Sequence, residues 1–278
     1  MTLLIFIFVF LLGTIIGSFL NVVIYRFNTG RTMVSGRSIC MNCNRNLRWY
    51  ELIPIFSFLI QSGKCRRCAS RISHQYPIVE FITGIVFALI VFKFLPLLYV
   101  SYRLYMFYVI LFVFIFSLLI VISVYDLRHK IIPDKLVYIF IFFSLFSIFI
   151  NPYMFGSFFT LPTFGALIAG PVFAIPFALI WFFSKGRLMG LGDSKLILGI
   201  GWVLGLSQGA FAIILSFWIG TIVSLILMFI AKSSLFSLKG KKLTMKTEIP
   251  FAPFLIISFL ITFLFNFNLF SLVKLFSM

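Results

Sequence analysis

Long apolar segments constrain this chain more than any other feature. The segments are rich in Phe, Ile, Leu and Val, and the mean hydropathy of the chain is +1.18. A helix needs about 20 apolar residues to cross a bilayer, whereas an open strand would leave backbone groups unpaired in lipid. We therefore predict an all-α polytopic membrane protein with about eight transmembrane helices. The predicted spans are residues 2–24, 78–98, 104–125, 133–150, 163–183, 194–206, 209–231 and 250–271.

The basic residues predict how these spans are oriented. Loops on one side, residues 25–77, 126–135, 184–195 and 232–248, carry 20 of the 23 lysines and arginines. Because positive loops stay in the cytoplasm, we place this side there and the N-terminus outside. We expect the first span to be a retained helix, since no basic residue precedes it and no small-residue cleavage site follows it. The net charge of +17 predicts contact with anionic lipid heads and not with nucleic acid, because topology already explains its placement.

All four cysteines lie in the only sizeable soluble segment, residues 25–77. They form two C-x2-C pairs, Cys40 with Cys43 and Cys65 with Cys68, and 21 residues separate the pairs. Two such knuckles complete a tetrahedral zinc site, and four sulfurs leave no open position, so the metal would be structural. Two disulfides or four unligated thiols are the alternatives. His74 is interpreted as an ordinary interfacial histidine.

The chain has only six carboxylates, and two of them stand at span ends. Asp126 ends the third span and Asp193 opens the sixth, so both are expected at a similar depth near the cytoplasmic surface. Two such acids on different helices can share a proton and activate a water, as in an aspartic protease. The other acids are Asp134, which is a competing partner favoured at its helix N-terminus by the dipole, and Glu51, Glu80 and Glu248.

Gly190 and Gly192 precede Asp193 and predict either close backbone approach or positive φ, with room for a substrate strand. A structural interpretation stays open: the glycines end one helix, and Asp193 caps the next. Asp126 likewise has a structural alternative as a boundary residue that pairs with Arg128 or Lys130.

Several motifs together resemble one family, the type IV prepilin peptidases of the GxGD class of membrane aspartyl proteases. The resemblance runs over nearly the whole chain with matching order and spacing. The matching segments are "LLGTIIGSFLNVVIYR", the four-cysteine loop with "YELIPIFSFL", "SHQYPIVEFITG", "YDLRHKIIPD", "GLGDSKL" and "EIPFAPFL".

This resemblance implies that Asp126 and Asp193 are the catalytic pair and that Gly190 and Gly192 shape the site. The family cleaves the basic leader of prepilins and pseudopilins after a glycine, at the cytoplasmic face of the bacterial inner membrane. Many bacterial members also methylate the new N-terminal residue with S-adenosylmethionine. Members with this second activity carry the cytoplasmic cysteine loop, which is present in this chain, so the resemblance favours a bifunctional enzyme. The implied domains are a first helix (1–24), a cytoplasmic tetracysteine loop (25–77) and a membrane protease domain (78–278).

The residues of the methylating activity are less well defined by the sequence. Glu51 and Glu80 are candidates because they are the acids nearest the cysteine loop, although Glu80 has a structural alternative in pairing with Arg26 or Arg71. Asn21 and Arg26 are interpreted as structural.

Three other functions remain as alternatives. A presenilin-like protease would share the Tyr-Asp and GxGD motifs, and a cation- or proton-coupled transporter would use its membrane acids to relay charge. A non-catalytic scaffold would use the zinc loop to dock partners.

Overall fold

A computed structural model of the protein describes residues 2–30, 32, 36–150, 160–232 and 249–268. The predicted all-α class is confirmed: the regular elements of these residues are helices, and pairings such as Ile39↔Asn46 and Lys64↔Arg71 are isolated bridges. Glu248 and the basic segment 233–248 lie outside the described residues. The helices are α1 (Thr2–Arg26), α2 (Phe56–Ile60), α3 (Gln75–Phe94), α4 (Tyr102–His129), α5 (Asp134–Ser147), α6 (Phe164–Ser184), α7 (Leu191–Lys232) and α8 (Ala252–Phe265), with short 3-10 helices at Trp49–Leu52 and Leu95–Tyr99.

The multi-pass membrane character is confirmed, but the predicted number of spans is only approximate. Five helices in the described ranges are long and apolar enough to cross a membrane. The predicted spans 133–150 and 250–271 correspond to α5 and α8, which have 14 residues each. At 1.5 Å per residue such a helix reaches about 21 Å, less than the hydrocarbon core of about 30 Å.

The predicted spans 194–206 and 209–231 lie on one element, α7, which is interrupted at Gly205. This residue has φ 72° and ψ −176°, a conformation that is essentially restricted to glycine. The break divides α7 into the helical segments 191–204 and 206–232. The sequence therefore located two helices correctly, although only one residue separates them.

The chain divides into two compact units, Met1–Val121 and Ile122–Met278, and the division falls within α4. The first unit contains α1, the cysteine loop and α3. The second contains the C-terminal end of α4 and α5 to α8. This division by contacts differs from the predicted domains 1–24, 25–77 and 78–278, which concern function and stay a prediction.

In the first unit, α1 packs against α3 through small residues. A Cβ atom on Gly13 would lie 2.7 Å from Cα of Gly84, and one on Gly17 would lie 2.8 Å from Cα of Glu80. Such distances are too short for any side chain, so the two backbones are in direct contact. Small residues allow this in membrane helices, where close packing replaces the hydrophobic effect. The contact brings Glu80 against α1.

In the second unit, α7 packs against α5, α6 and α8. A Cβ atom on Gly201 would lie 2.8 Å from the carbonyl oxygen of Ala169, so α6 and α7 touch through backbone. Pro171 inside α6 leaves the Leu167 carbonyl without its usual N–H partner. The indole N–H of Trp202 donates to that carbonyl at 2.9 Å. A side chain of α7 thus satisfies the carbonyl group of α6 that Pro171 leaves unpaired. Backbone groups inside a bilayer need such a partner because the lipid offers none.

Candidate active site and metal centre

The second unit brings Asp126 and Asp193 together. Asp126 lies in the last turn of α4 and is 5% exposed, and Asp193 lies in the first turn of α7 and is 8% exposed. The two carboxylates are close enough for the charge of Asp126 to act on Asp193. Two buried acids from different helices therefore lie close together, which agrees with the expectation that both occur at a similar depth.

The first turn of α7 holds Asp193 by local hydrogen bonding. Gly190 precedes the helix, and its backbone N–H donates to the carboxylate of Asp193, the third helical residue. This is half of a capping box, in which a side chain of the first turn returns to the residue before the helix. Asp193 thus forms a hydrogen bond at the start of α7, as the capping interpretation expected, but the residue at the N-cap position is Gly190 and not Asp193. Oδ1 of Asp193 is buried and accepts no hydrogen bond from the described residues.

Asp126 is held by the start of another helix. The backbone N–H of Ala252, the first residue of α8, donates to its carboxylate. The first N–H groups of a helix have no partner within the helix and carry its positive end, so they favour a carboxylate. The motif "EIPFAPFL" thus contributes through its backbone, which is why side-chain chemistry in the sequence did not reveal it.

The two glycines before Asp193 differ in their surroundings. Neither has positive φ, so that part of the expectation is wrong. A Cβ atom on Gly192 would lie 2.7 Å from Cβ of Ile132, which means that the segment between α4 and α5 packs directly on this turn. A Cβ atom on Gly190 would meet nothing closer than Oδ2 of Asp193 at 3.6 Å. Close approach therefore explains Gly192 and leaves Gly190 without a packing reason.

Asp134, the competing partner, has a different neighbour. Its carboxylate accepts a hydrogen bond from Nζ of Lys195 at 2.7 Å, and its side chain is 61% exposed. The same ammonium lies 4.9 Å from the centre of the Tyr138 ring. This exposed ion pair joins α5 to α7, and it gives Asp134 a structural reason to exist.

The predicted convergence of the four cysteines is confirmed. The sulfur atoms of Cys40, Cys43, Cys65 and Cys68 all lie within 4.8 Å of one another, and all four thiols are free. Four sulfurs at about 2.3 Å from a zinc ion would lie about 3.8 Å apart in a tetrahedron. The sulfurs of Cys40 and Cys68 are 3.9 Å apart. The cluster therefore fits a structural zinc ion, and the ion itself stays a prediction.

The two knuckles repeat one backbone pattern. The backbone N–H of Cys40, like that of Cys65, donates to the carbonyl of the residue five positions later. The carbonyl of each of these cysteines accepts the N–H of the residue four positions later. The bridges Ile39↔Asn46 and Lys64↔Arg71 close the two turns. Next to the second turn, hydrogen bonds from the side chain and backbone of Ser70 lower the pKa of the Cys68 thiol to about 6. The Arg45 backbone N–H lowers the pKa of the Cys43 thiol, but burial and hydrogen bonds with the other three cysteines together raise it to about 11, so the four thiols do not shift alike.

His74 does not join the cysteine cluster. Its ring packs against Phe58 with a centroid distance of 5.4 Å. The expectation that four cysteines suffice as ligands agrees with this placement.

A cavity of about 940 Å³ lies in the first unit, between the cysteine loop and the adjoining ends of α1 and α3. It is lined by polar, aromatic and aliphatic side chains, and by two of the cysteines, Cys40 and Cys65. Both acids named from the sequence, Glu51 and Glu80, line it. No pattern in the sequence indicated the cavity itself, because its walls come from segments far apart along the chain.

Glu51 is engaged on both oxygens. Its carboxylate forms an ion pair with the Arg45 guanidinium and accepts the backbone N–H of Arg48 at 2.9 Å. Burial by itself would raise the pKa of Glu51, but the Arg48 N–H and the Arg45 guanidinium hold it below its ordinary value. Glu51 therefore stays ionised and fastens the 3-10 helix Trp49–Leu52 to the first knuckle.

Glu80 has neutral partners only among the described residues. It is 6% exposed, and Oε2 accepts the backbone N–H of Ile55 at 2.7 Å. The side chain of Ser18 also hydrogen-bonds to the carboxylate. The alternative that Glu80 pairs with Arg26 or Arg71 is wrong, since neither is among its partners.

The structural interpretation of Asn21 and Arg26 agrees with their contacts. Asn21 is fully buried, and its amide donates to the carbonyls of Gly17 and Tyr76 at 3.3 and 3.2 Å, which ties α1 to α3. The Arg26 guanidinium donates to the Thr32 carbonyl at 2.8 Å. Both side chains also line the cavity.

Two family models match this chain in succession. The Bacterial Peptidase A24 N-terminal domain matches residues 11–94, and the Type IV leader peptidase family matches residues 113–225. The first match contains the cysteine loop and the cavity, and the second contains both aspartates of the candidate active site. No solved structure matches the chain.

Curated relatives agree with these matches. A "Prepilin leader peptidase/N-methyltransferase" of Myxococcus xanthus is 47% identical over 81 residues, which are 29% of this chain and 24% of the relative. Proteins of the same name are 44% identical over 79 residues in Bacillus subtilis and 34% identical over 107 residues in Neisseria gonorrhoeae. These two alignments cover 28% and 30% of this chain.

The aligned segments thus span only 24% to 37% of these three relatives' own lengths. The two family models extend the similarity, because together they reach from residue 11 to residue 225 with one short interval. The motifs of both aspartates and of all four cysteines fall within them. This chain belongs to the type IV leader peptidase family, the family of the prepilin peptidases.

Proposed function

We propose that this protein is a membrane-embedded aspartic endopeptidase that removes the basic leader from prepilins or pseudopilins after a glycine. It then methylates the new N-terminal residue with S-adenosylmethionine. The protein acts in the bacterial inner membrane, with its N-terminus outside and its active site on the cytoplasmic side.

The observation that carries the peptidase proposal is the convergence of Asp126 and Asp193. Each buried carboxylate receives a backbone N–H at a helix start, from Ala252 and Gly190 respectively. Oδ1 of Asp193 has no donor among the described residues. A buried carboxylate oxygen is costly to leave unpaired, so it is suited to bind a water or a protonated partner acid.

The pair performs hydrolysis by exchanging proton roles. One acid is ionised and takes a proton from the attacking water, and the other is protonated and donates to the departing amine. The substrate's apolar helix enters from the side, and its cleavage site unwinds near residues 190–193. Gly190 leaves space beside Asp193, since a Cβ atom at this position would meet no atom closer than 3.6 Å.

We assign N-methylation to the cavity of the first unit. Its volume of about 940 Å³ is at the upper end of the range for small-molecule sites. It contains both candidate acids, Glu51 and Glu80. The names of the curated relatives include this activity. S-adenosylmethionine supplies an electrophilic methyl group, and the four-cysteine cluster holds a structural Zn²⁺ that shapes one wall.

The alternatives gain no support. A transporter would place its acids near the middle of the membrane, whereas Asp126 and Asp193 lie at helix ends. A presenilin-like enzyme would leave the four-cysteine cluster without a purpose. A scaffold would leave two buried acids unexplained.

The test is cleavage of a prepilin-like substrate in membranes that contain the wild-type protein. We expect release of the leader after a glycine, followed by transfer of a labelled methyl group from S-adenosylmethionine to the new N-terminus. Failure to cut any substrate of this type would reject the peptidase proposal. Cleavage without methylation would reject only the second activity.

A further inference from the structure

We propose that Glu80 binds the N-terminal ammonium group of the trimmed substrate and accepts its proton before methyl transfer, whereas Glu51 is a positioning residue. The inference rests on the proposed N-methylation in the cavity of the first unit, and it assigns different roles to the two acids that line this cavity.

Glu51 is already neutralised by a buried ion pair. The Arg45 guanidinium and the Arg48 N–H occupy its two oxygens, and the side chain of Glu51 is 1% exposed. A second cation would have to displace a buried ion pair, which is unfavourable because it would leave the arginine charge uncompensated. Glu51 therefore organises the first knuckle and has no role in binding the substrate amine.

The carboxylate of Glu80, in contrast, has no counter-charge in the described part of the chain. Its partners, the Ser18 side chain and the Ile55 N–H, use about two of the four acceptor positions of a carboxylate. A buried carboxylate with neutral partners only is unfavourable, and such a group in a membrane helix is a functional candidate. A small cation that enters the cavity would supply both the missing charge and the missing donors.

The other charged groups of the cavity do not provide that charge. The guanidinium of Arg26 donates to backbone carbonyls of Thr32 and Arg37. Among the described residues, Arg71 forms no ion pair with Glu80, whose carboxylate interacts with Ile55 and Ser18. Of the remaining titratable side chains, Tyr25 and Tyr76 stack on each other with centroids 5.0 Å apart. Cys40 and Cys65 belong to the metal cluster.

A strained turn directs the loop onto Glu80. Ile55 has φ 61° and ψ −54°, and the Phe56 N–H donates to the Pro54 carbonyl at 2.6 Å. Residues 54–56 therefore form a γ-turn of the kind in which the central residue has positive φ. This turn is rare, and it is costly for a β-branched residue. Backbone strain of this kind clusters at functional sites. Here the turn presents its N–H to the carboxylate that we assign to the amine.

The chemistry requires a proton acceptor at this position. An α-ammonium group has a pKa of about 7.7–8.0, so near pH 7 most of it lacks the lone pair needed for attack. When Glu80 takes one proton, the nitrogen attacks the methyl carbon, the carbon–sulfur bond breaks, and its electron pair remains on sulfur. The products are a methylated ammonium group and a neutral thioether, and the proton leaves from Glu80 to solvent.

The experiment compares Glu80→Gln with the matched control Glu51→Gln in the full-length protein, using a substrate that is already trimmed. Glutamine at position 80 keeps an acceptor for the Ile55 N–H but removes the negative charge. We expect methyl transfer at pH 7 to fall about 100-fold, the lower end for loss of a general base. The rate of the variant should then rise about fivefold between pH 7 and pH 8, as the amine with its pKa of about 7.7–8.0 is deprotonated.

Glu51→Gln should lower zinc retention and show no recovery with pH. Zinc content near the wild-type level is the folding control for the first unit of Glu80→Gln, and leader cleavage, which uses Asp126 and Asp193, is the control for the second unit of both variants. If Glu80→Gln methylates as fast as wild type, or loses activity that alkaline pH does not restore, the inference is wrong. A wild-type protein that cleaves but never methylates overturns the proposed second activity, and this inference with it.

A second measurement needs no variant. A short trimmed peptide with a free N-terminal amine is itself a methyl acceptor, so it should compete with a separate trimmed substrate whose methylation is followed. The same peptide with a hydroxyl in place of the amine should compete at least about tenfold more weakly. Equal inhibition by the two peptides would contradict a charged contact with the N-terminus.

Discussion

The two candidate sites of this protein are held together by different means. In the second unit, the ends of long helices position Asp126 and Asp193, and backbone N–H groups of helix starts fix both side chains. In the first unit, two short knuckles in a loop hold four cysteines and one wall of a cavity. Helices satisfy their own backbone and pack over their length, whereas a loop of about 50 residues has too small a core to hold itself, and the four-cysteine cluster is compatible with a metal that would fasten it.

This comparison predicts that the two sites fail independently, and the largest effect concerns the aspartates. Asp126→Asn or Asp193→Asn should reduce leader cleavage by about 1,000-fold or more, because an amide cannot exchange a proton with water. Methyl transfer to a trimmed substrate and zinc content should stay unchanged. Cleavage is measured in membranes by the mass of the released product.

The control for that comparison is Asp134→Asn, which removes only the exposed pair with Lys195. Because such pairs contribute at most about 1 kcal/mol, cleavage should stay within about twofold of wild type. If Asp134→Asn is inactive while Asp126→Asn still cleaves, the assigned pair is wrong.

Removal of the metal should have the opposite pattern. Cys40→Ser or Cys68→Ser is expected to lower zinc content, measured by elemental analysis, and to abolish methyl transfer, since one wall of the cavity depends on the knuckles. Cleavage should persist, because Asp126 and Asp193 are positioned by helices. A cysteine variant that loses cleavage as completely as methylation would show that the two sites are not independent.

Within the proposed peptidase site, Gly190 and Gly192 should respond differently to substitution by alanine, because only Gly192 is in close contact with a neighbouring residue. Gly192→Ala should destabilise the first turn of α7 by about 1–3 kcal/mol, because its Cβ would overlap Ile132. Gly190→Ala should leave thermal stability nearly unchanged, since nothing lies within 3.6 Å of the added Cβ, but should reduce cleavage by narrowing the space beside Asp193. Thermal unfolding in detergent and a cleavage assay separate the two effects. Normal cleavage by Gly190→Ala would contradict its assigned role.

The smallest effect concerns a hydrogen bond between two helices of the second unit. Trp202→Phe removes the indole N–H that satisfies the Leu167 carbonyl beside Pro171. Hydrogen bonds between membrane helices contribute about 0.6–1.7 kcal/mol, so the free energy of unfolding should fall by that amount with cleavage retained. No measurable shift would mean that another group satisfies the freed carbonyl.

Much of the fold could be predicted from the sequence, because its causes are local. Apolar length identified the helices, and Gly205 lies where two predicted spans meet. The predicted spans were too long at α5 and α8, because the apolar residues on which they were based extend past the ends of these two helices. The C-x2-C pairs predicted the cluster because each knuckle is a short turn whose geometry depends only on its neighbours.

The partners of the buried acids could not be predicted in this way. Ala252 contributes a backbone group, which carries no mark in the sequence, and Ile55 reaches Glu80 from 25 residues away. The structural alternative that Glu80 pairs with Arg26 or Arg71 was wrong, because positions along the chain do not determine which side chains meet in the fold. Ser18 is one of many serines in the chain, so nothing distinguished it.

The sequence by itself determined the membrane character, the two aspartates, the four cysteines and the family, because residue type and spacing encode these features directly. Tertiary structure alone decided which groups face each acid. Within the described ranges it left Oδ1 of Asp193 without a donor, neutralised Glu51 with Arg45, and placed Glu80 among neutral partners in a cavity. The physical reason is that the environment of a buried charge is made by whichever chain segments fold against it.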